Sequence, residues 1–123
     1  MPAEIFIKRI YDPPSESDGK RILVDRLWPR GIKKEDAVIN AWMKEIAPSN
    51  ELREWFAHDE KKWEEFKIKY FKELDKKKNL SEELLSTGKK KITLLFGAKD
   101  KQHNQAAALK EYLELNFLHK QLR

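Results

Sequence analysis

The chain has 123 residues, 40% of them hydrophobic and 38% charged, with a formal charge of +5 and no cysteine. That length supports one domain with a real core and is too short for two ordinary ones. The lack of cysteine excludes disulfides, thiolate nucleophiles and cysteine-ligated zinc, and no apolar run approaches the roughly 18 residues of a membrane helix. The opening Met1-Pro2-Ala3-Glu4-Ile5 lacks the basic and apolar regions of a secretory leader, so a cytoplasmic location is expected.

Residues 4–10 read as a strand rich in β-branched and aromatic residues. Residues 11–20 carry Pro13-Pro14, two serines, three acids and Gly19, and read as a mobile loop. Arg21 to Asp25 forms a second strand, apolar on both faces across Ile22-Leu23-Val24, as a central strand covered on both sides would be. From Lys34 the period turns helical, with Ile39, Trp42, Met43 and Ile46 on one stripe. Pro48 ends that helix, and Ser49 caps a short one over residues 50–57. Asp59 caps the next, where Trp63, Phe66, Tyr70 and Leu74 form the apolar stripe and Glu65/Lys69 and Glu73/Lys77 make outward pairs. Lys76 to Lys78 suits the negative end of that helix. A further short helix over about 81–86 stops at Gly88. Lys91 to Phe96 is a third strand, Gly97 to Asp100 a turn, and about 104–118 a last helix with Ala106, Leu109, Leu113 and Phe117 inward. The order predicts a single α/β domain: a small, mainly parallel sheet with helices packed on both faces, three-layered and Rossmann-like. Only about ten residues separate the first two strands, near the lower limit for a parallel crossover, so their relative direction stays open.

Charge and arginine usage locate a candidate site. Residues 1–59 carry 10 basic against 11 acidic side chains, and residues 60–123 carry 16 against 10. The chain has 20 lysines and 6 arginines, yet Arg21, Arg26 and Arg30 crowd one short stretch in the nearly neutral half. A chain that uses lysine for general charge places arginine where a planar, bidentate donor is needed. Ligands of open α/β sheets bind outside the carboxyl ends of the strands. There, Arg26, Arg30 and Lys99 would share a rim, Arg53 and the helix start at Ser49 would add donors, and Trp28 and Trp55 would wall a pocket for phosphate or carboxylate. Proton transfer in such a pocket would fall to Asp25, His58 or Asp100.

Each residue also has a plainer role. Asp25 and Arg26 could satisfy one another or nearby backbone, Trp28-Pro29 could plug the core, and Ser49 could simply cap its helix. Arg53 and Trp55 could pack and pair at the surface, Lys99 could be a solvated lysine, and Asp100 could bond its own turn. His58-Asp59 is a lone dipeptide with no metal-ligand spacing to His103 or His119, so no metal is expected. No glycine-rich nucleotide loop or nucleophile elbow occurs, and no cofactor is implied. Lys76–Lys78 and Lys89–Lys91 could touch phosphates non-specifically, the basis of a second reading as a nucleic-acid-binding accessory protein. A third reading is a homo-oligomeric interaction protein with tryptophans at its interface.

The string Leu23-Val24-Asp25-Arg26-Leu27-Trp28-Pro29-Arg30-Gly31 resembles the hallmark of the YeaO-like proteins, within the domain-of-unknown-function family 488. The resemblance continues through Trp42, Ala47-Pro48-Ser49, Leu52-Arg53, Trp55-Phe56, His58-Asp59, Trp63, Phe66, Tyr70, Glu73-Leu74, Thr93-Leu94-Leu95 and Ala98-Lys99-Asp100 to Asn104, Ala106 and Leu109. It implies a small cytoplasmic α/β protein of prokaryotic origin and supplies no activity to carry over. Phe96-Gly97 departs from the expected Tyr-Ala or Tyr-Ser, a change expected to affect packing more than chemistry. Some relatives are labelled transcription regulators, yet no helix-turn-helix with a basic recognition helix is visible.

Overall fold

The computed structural model describes residues 3–86 and 90–118. Its strands are β1 (Glu4–Arg9), β2 (Lys20–Leu23), β3 (Ala41–Trp42) and β4 (Lys91–Phe96), and its helices are α1 (Asn50–Phe56), α2 (Trp63–Asp75), α3 (Lys78–Leu85) and α4 (Gln105–Leu113). The strands form one sheet in the order β1-β4-β2-β3, and every neighbouring pair is parallel. β1 and β2 therefore run the same way, and their short connection passes across β4. The single-domain α/β fold with a parallel sheet is present as read from the element order, although its α-helices gather on one face of the sheet and do not cover both.

Alternation along the strands sorts the two faces. Ile5, Ile22, Val24, Ile92, Leu94 and Phe96 point to one side and share a core with Leu52 and Phe56 of α1, Phe66, Tyr70 and Leu74 of α2, Leu84 of α3 and Leu109 of α4. All four α-helices thus contribute to that core. Leu23 and Leu95 point to the other side and pack with Ile10, Ala37, Trp28, Ile39 and Trp42. The helical cover there is 3₁₀ only, in turns at Glu16–Asp18 and Lys34–Asp36. Among the described residues no helix is long and apolar enough to cross a membrane.

The helix expected over residues 34–46 is not formed. Two 3₁₀ turns flank β3 instead, and β3 pairs with β2 through Ile22–Ala41 and Leu23–Trp42. Asn40 N–H donates to the Arg21 carbonyl (2.8 Å), Arg21 N–H to Asn40 Oδ1 (2.8 Å) and Met43 N–H to the Leu23 carbonyl (2.9 Å). The apolar residues that mimic a helical stripe are shared between faces: Trp42 joins the second cluster, while Met43 and Ile46 join the first. Pairing at the open edge of β2 outweighs the local period.

The other helices lie close to their expected places, although α3 begins early, at Lys78, and α4 gives way after Leu113 to a π-helical turn over Glu114–Leu118. Ser49 caps α1, Asp59 caps the 3₁₀ turn that leads into α2, and Asn104 caps α4, each accepting a backbone N–H. Glu65 and Lys69 pair at 3.7 Å, whereas Glu73 and Lys77 each find other partners. Gly88, Lys89 and His119 lie outside the described residues.

Buried polar groups lock the second face. Asp18 accepts from Lys8 (3.1 Å) and Arg21 (2.6 Å), and its carbonyl accepts from the Thr93 hydroxyl (2.6 Å). Arg21, only 4% exposed, also donates to the carbonyls of Val38 (2.6 Å) and Ala37 (3.4 Å), which holds Val38 in a left-handed conformation that a β-branched residue seldom adopts. Gly19 adjoins this knot with φ +66°, and a β-carbon there would stand 2.3 Å from the Lys91 carbonyl oxygen. Burial alone would raise the Asp18 carboxyl, but the Ser15 N–H, Lys8 and Arg21 together hold it below its usual value. Asp18→Ala leaves the Arg21 guanidinium buried without its carboxylate, and is expected to cost about 3 kcal/mol in urea unfolding at neutral pH. That loss should begin to shrink as pH falls below about 4, where the unfolded chain takes up the proton first, and should be gone once the folded carboxyl, held lower, is protonated as well.

Candidate functional site

The carboxyl ends of β2 and β4 open on one cleft of about 270 Å³. Its walls come from residues 25–30 after β2, the Ala47-Pro48 bend, Arg53 and Phe56 of α1, His58, and the Gly97-Ala98 and Asn104-Gln105 steps after β4. Parallel pairing of β2 and β4 brings these ends together, as the strand-end rule expects. Of the residues expected at a site, Asp25, Arg26, Trp28, Arg30, Arg53 and His58 line the cleft; Ser49, Trp55, Lys99 and Asp100 do not.

Asp25 lies just past the last sheet hydrogen bond, from Val24 N–H to the Leu95 carbonyl. One carboxylate oxygen accepts from Gly97 N–H (2.9 Å), the other from the Gln105 side-chain amide, and the Trp42 indole N–H donates to the Asp25 carbonyl (2.7 Å). Among the described residues no cation pairs with it. Burial pushes its pKa up to about 6, against the opposing effect of the Gly97 and Gln105 donors. Gly97 bears on this arrangement directly, since a β-carbon there would lie 2.9 Å from the Asp25 oxygen. The departure expected to affect packing therefore reaches the cleft floor.

Arg26 does not pair with Asp25. Its guanidinium donates to the carbonyls of Pro48 (2.9 Å) and Ala47 (3.1 Å). Lys77 donates to the Glu45 (2.6 Å) and Ala47 (3.2 Å) carbonyls, and the Tyr70 hydroxyl to the Ile46 carbonyl (2.7 Å). Ser49 does cap α1, but its N–H (2.9 Å) and hydroxyl (2.6 Å) both donate to Glu73, so the chain's own carboxylate occupies that helix start. Burial, with Arg26 nearby, lowers the Lys77 pKa against the influence of Glu73 and Glu45.

Arg30 and Arg53 differ from Arg26 in being exposed, and among the described residues neither guanidinium has an acidic partner. The Arg30 carbonyl accepts from the Tyr11 hydroxyl (2.7 Å). Arg9 stacks over the Tyr11 ring at 4.7 Å and donates to the carbonyls of Ala98 (2.9 Å) and Gly97 (3.3 Å). His58 reaches the cleft because Ala57 and His58 both take left-handed backbone conformations as α1 ends.

The remaining residues serve structure. Trp28 packs edge-on against Trp42 at 5.2 Å and donates to the Ile32 carbonyl (2.6 Å), while also lining the cleft. Trp55 lies under the ammonium groups of Lys62 and Lys69, at 5.0 and 4.9 Å. Trp63 stacks on Phe66, and Lys91 lies over the Phe6 ring. Lys99 is exposed. Asp100 accepts from Gln102 and His103 N–H and contacts the His103 ring nitrogen at 2.9 Å; the Gln102 bond leads in holding its carboxyl below the usual value. With Glu60 these two make the one grouping of three possible metal ligands among the described residues.

Sequence reasoning passed over Tyr11, Gln105 and the Gly97 amide. The strand-end rule applied to β1 would have found Tyr11, two residues past Arg9. Nothing in the sequence distinguishes Gln105, the first residue of α4, because its partner is 80 residues away.

The Asp25 geometry has a consequence for stability. A carboxyl raised from 3.8 to about 6 makes its ionised form costly in the folded state, so this penalty is absent below about pH 4 and complete above pH 6. Asp25→Asn keeps an acceptor for Gly97 and removes the charge. It is expected to be about 3 kcal/mol more stable than wild type at pH 7.5, with the gap closing by pH 4, measured by urea unfolding at both values.

Over residues 4–122 the chain matches the family described as "Inactive DUF488-N3 subclade". It is 46% identical over 110 residues to "Uncharacterized protein YeaO" of Escherichia coli strain K12, covering 89% of this chain and 96% of that protein. It is 37% identical over 109 residues to "Uncharacterized protein Rv3073c" of Mycobacterium tuberculosis strain H37Rv, covering 89% and 92%. The protein of Mycobacterium bovis named "Uncharacterized protein Mb3100c" matches to the same extent. No solved structure matches the chain significantly. The resemblance carried by residues 23–31 is borne out: the chain is a YeaO-like member of the DUF488 family, in its DUF488-N3 subclade.

Proposed function

We propose that this protein binds a small phosphate- or carboxylate-bearing ligand in the cleft between the β2 and β4 ends, with Arg30 and Arg53 as its anion contacts. The observation that carries the reading is the contrast among the arginines. Arg9, Arg21 and Arg26 donate to carbonyls or a carboxylate of the chain, whereas Arg30 and Arg53 reach the same cleft from different segments with no acidic partner among the described residues. A guanidinium in water gains little by standing alone, and two beside one concavity offer bidentate recognition of an oxyanion. At about 270 Å³ the cleft falls just short of the roughly 300–1,000 Å³ of drug-sized ligand pockets, which suits a metabolite.

The family description "inactive" favours binding without turnover. On this reading Asp100 maintains its turn, and Asp25 and His58 shape the cleft without shuttling protons. Arg26 holds the wall through backbone carbonyls and does not touch the ligand.

Ethyl phosphate is expected to raise the melting temperature in a concentration-dependent way. Arg30→Ala and Arg53→Ala should each weaken it by about tenfold, a charged hydrogen bond's worth, while leaving the unliganded melting temperature within about 2 °C of wild type. Arg26→Ala should instead lower the unliganded melting temperature, because the buried Pro48 carbonyl loses its donor and the Ala47 carbonyl keeps only Lys77. Failure of ethyl phosphate, propionate and their ammonium-bearing counterparts alike to bind wild type, or binding unchanged in Arg30→Ala and Arg53→Ala, would reject the proposal.

A further inference from the structure

An acid, Asp25, lines the same cleft as Arg30 and Arg53, and this restricts the ligand more than its anion contacts do. We infer that the ligand is dipolar, carrying a hydrogen-bond-donating group, best an ammonium, in the same small molecule as its anionic group. The inference rests on the proposed anion contacts at Arg30 and Arg53 and adds the opposite pole.

Asp25 supplies that pole. It lines the same cleft, less exposed than Arg30 or Arg53, and its carboxylate is ionisable with no cation paired to it among the described residues. An ionised carboxylate offers about four acceptor positions. Gly97 N–H and the Gln105 amide account for two. The nearest arginine in sequence, Arg26, is turned to the Ala47 and Pro48 carbonyls and leaves the acid uncompensated. Even half-buried, a carboxylate without a cation is costly, and a fold that needed only an acceptor for the Gly97 and Gln105 donors would manage with an amide.

A plain oxyanion is a poor match for such a floor. Near the exposed arginines it is attracted, but each step inward brings it toward a like charge in a medium less polar than water. A molecule with an anion at one end and an ammonium at the other meets complementary charge at both. The cleft volume of about 270 Å³ sets both poles within reach of one metabolite-sized molecule. Within the carboxylate class this describes an amino acid, and within the phosphate class an amino-alkyl phosphate.

Two matched pairs of probes test it on the full chain at pH 7.5 by calorimetry: phosphoethanolamine against ethyl phosphate, and β-alanine against propionate. In at least one pair the ammonium-bearing probe is expected to bind about tenfold or more tightly than its partner. Asp25→Asn should erase that preference while the plain anion binds as well as before or better. Arg30→Ala should weaken both members of the pair. Equal affinity within both pairs, or a preference that survives Asp25→Asn, would overturn the dipolar ligand while leaving the anion site standing. If none of the four probes binds wild type, the anion site fails and the dipolar ligand fails with it.

Discussion

Residues 45–48 have little regular structure, and their backbone carbonyls must still find donors once packed against α2. Lys77, Tyr70 and Arg26 supply them: Glu45, Ile46, Ala47 and Pro48 each accept a side-chain hydrogen bond, and Ser49 closes the series by donating to Glu73. An unpaired buried carbonyl costs about as much as a lost hydrogen bond, so this bend stands only while those side chains are in place. From it follow the start of α1, the seating of α1 on α2, and one wall of the cleft. Burial and the neighbouring Glu73 carboxylate both raise the Tyr70 hydroxyl pKa, so it stays a donor across the physiological range.

Against that thorough pairing, Asp25 is an exception. The second face of the sheet shows how this fold treats a buried acid when the role is structural: Asp18 is met by Lys8 and Arg21 at once. Asp25 receives only neutral donors. Groups kept in an unfavourable state by an otherwise well-satisfied structure concentrate at functional sites. The contrast within one small protein separates an acid whose charge the fold neutralises from one whose charge it leaves unmatched.

The arginine cluster shows what sequence can and cannot resolve. Its concentration near residues 21–30 was legible, and so was its position at a strand end. The division of labour within it was not, because Arg21 meets Asp18 and Val38 while Arg26 meets a bend more than 20 residues away. Capping residues were legible because their partners are local, as with Ser49 and Asp59. β3 was hidden because a two-residue strand is created by the neighbour it pairs with, and its flanking residues happen to fall at helical spacing. The Asp25–Gln105 contact, spanning 80 positions, leaves no local trace at either end.

The strand order also governs how the protein can come into being. β4 is the last strand among the described residues and lies in the middle of the sheet, bonded to β1 on one side and β2 on the other. Until residues 91–96 arrive, β1 has no partner strand, and β2 has only the two residues of β3. The earlier part of the chain is therefore a slot waiting for its tongue, with two unsatisfied strand edges and an uncovered apolar face. Such a topology defers its reward to contacts of long sequence separation, which slows folding and leaves the nascent edges open to pairing with other chains. Strand pairing of this order is completed only when β4 is in place, so a chain interrupted before β4 is expected to aggregate and not to form a smaller folded protein.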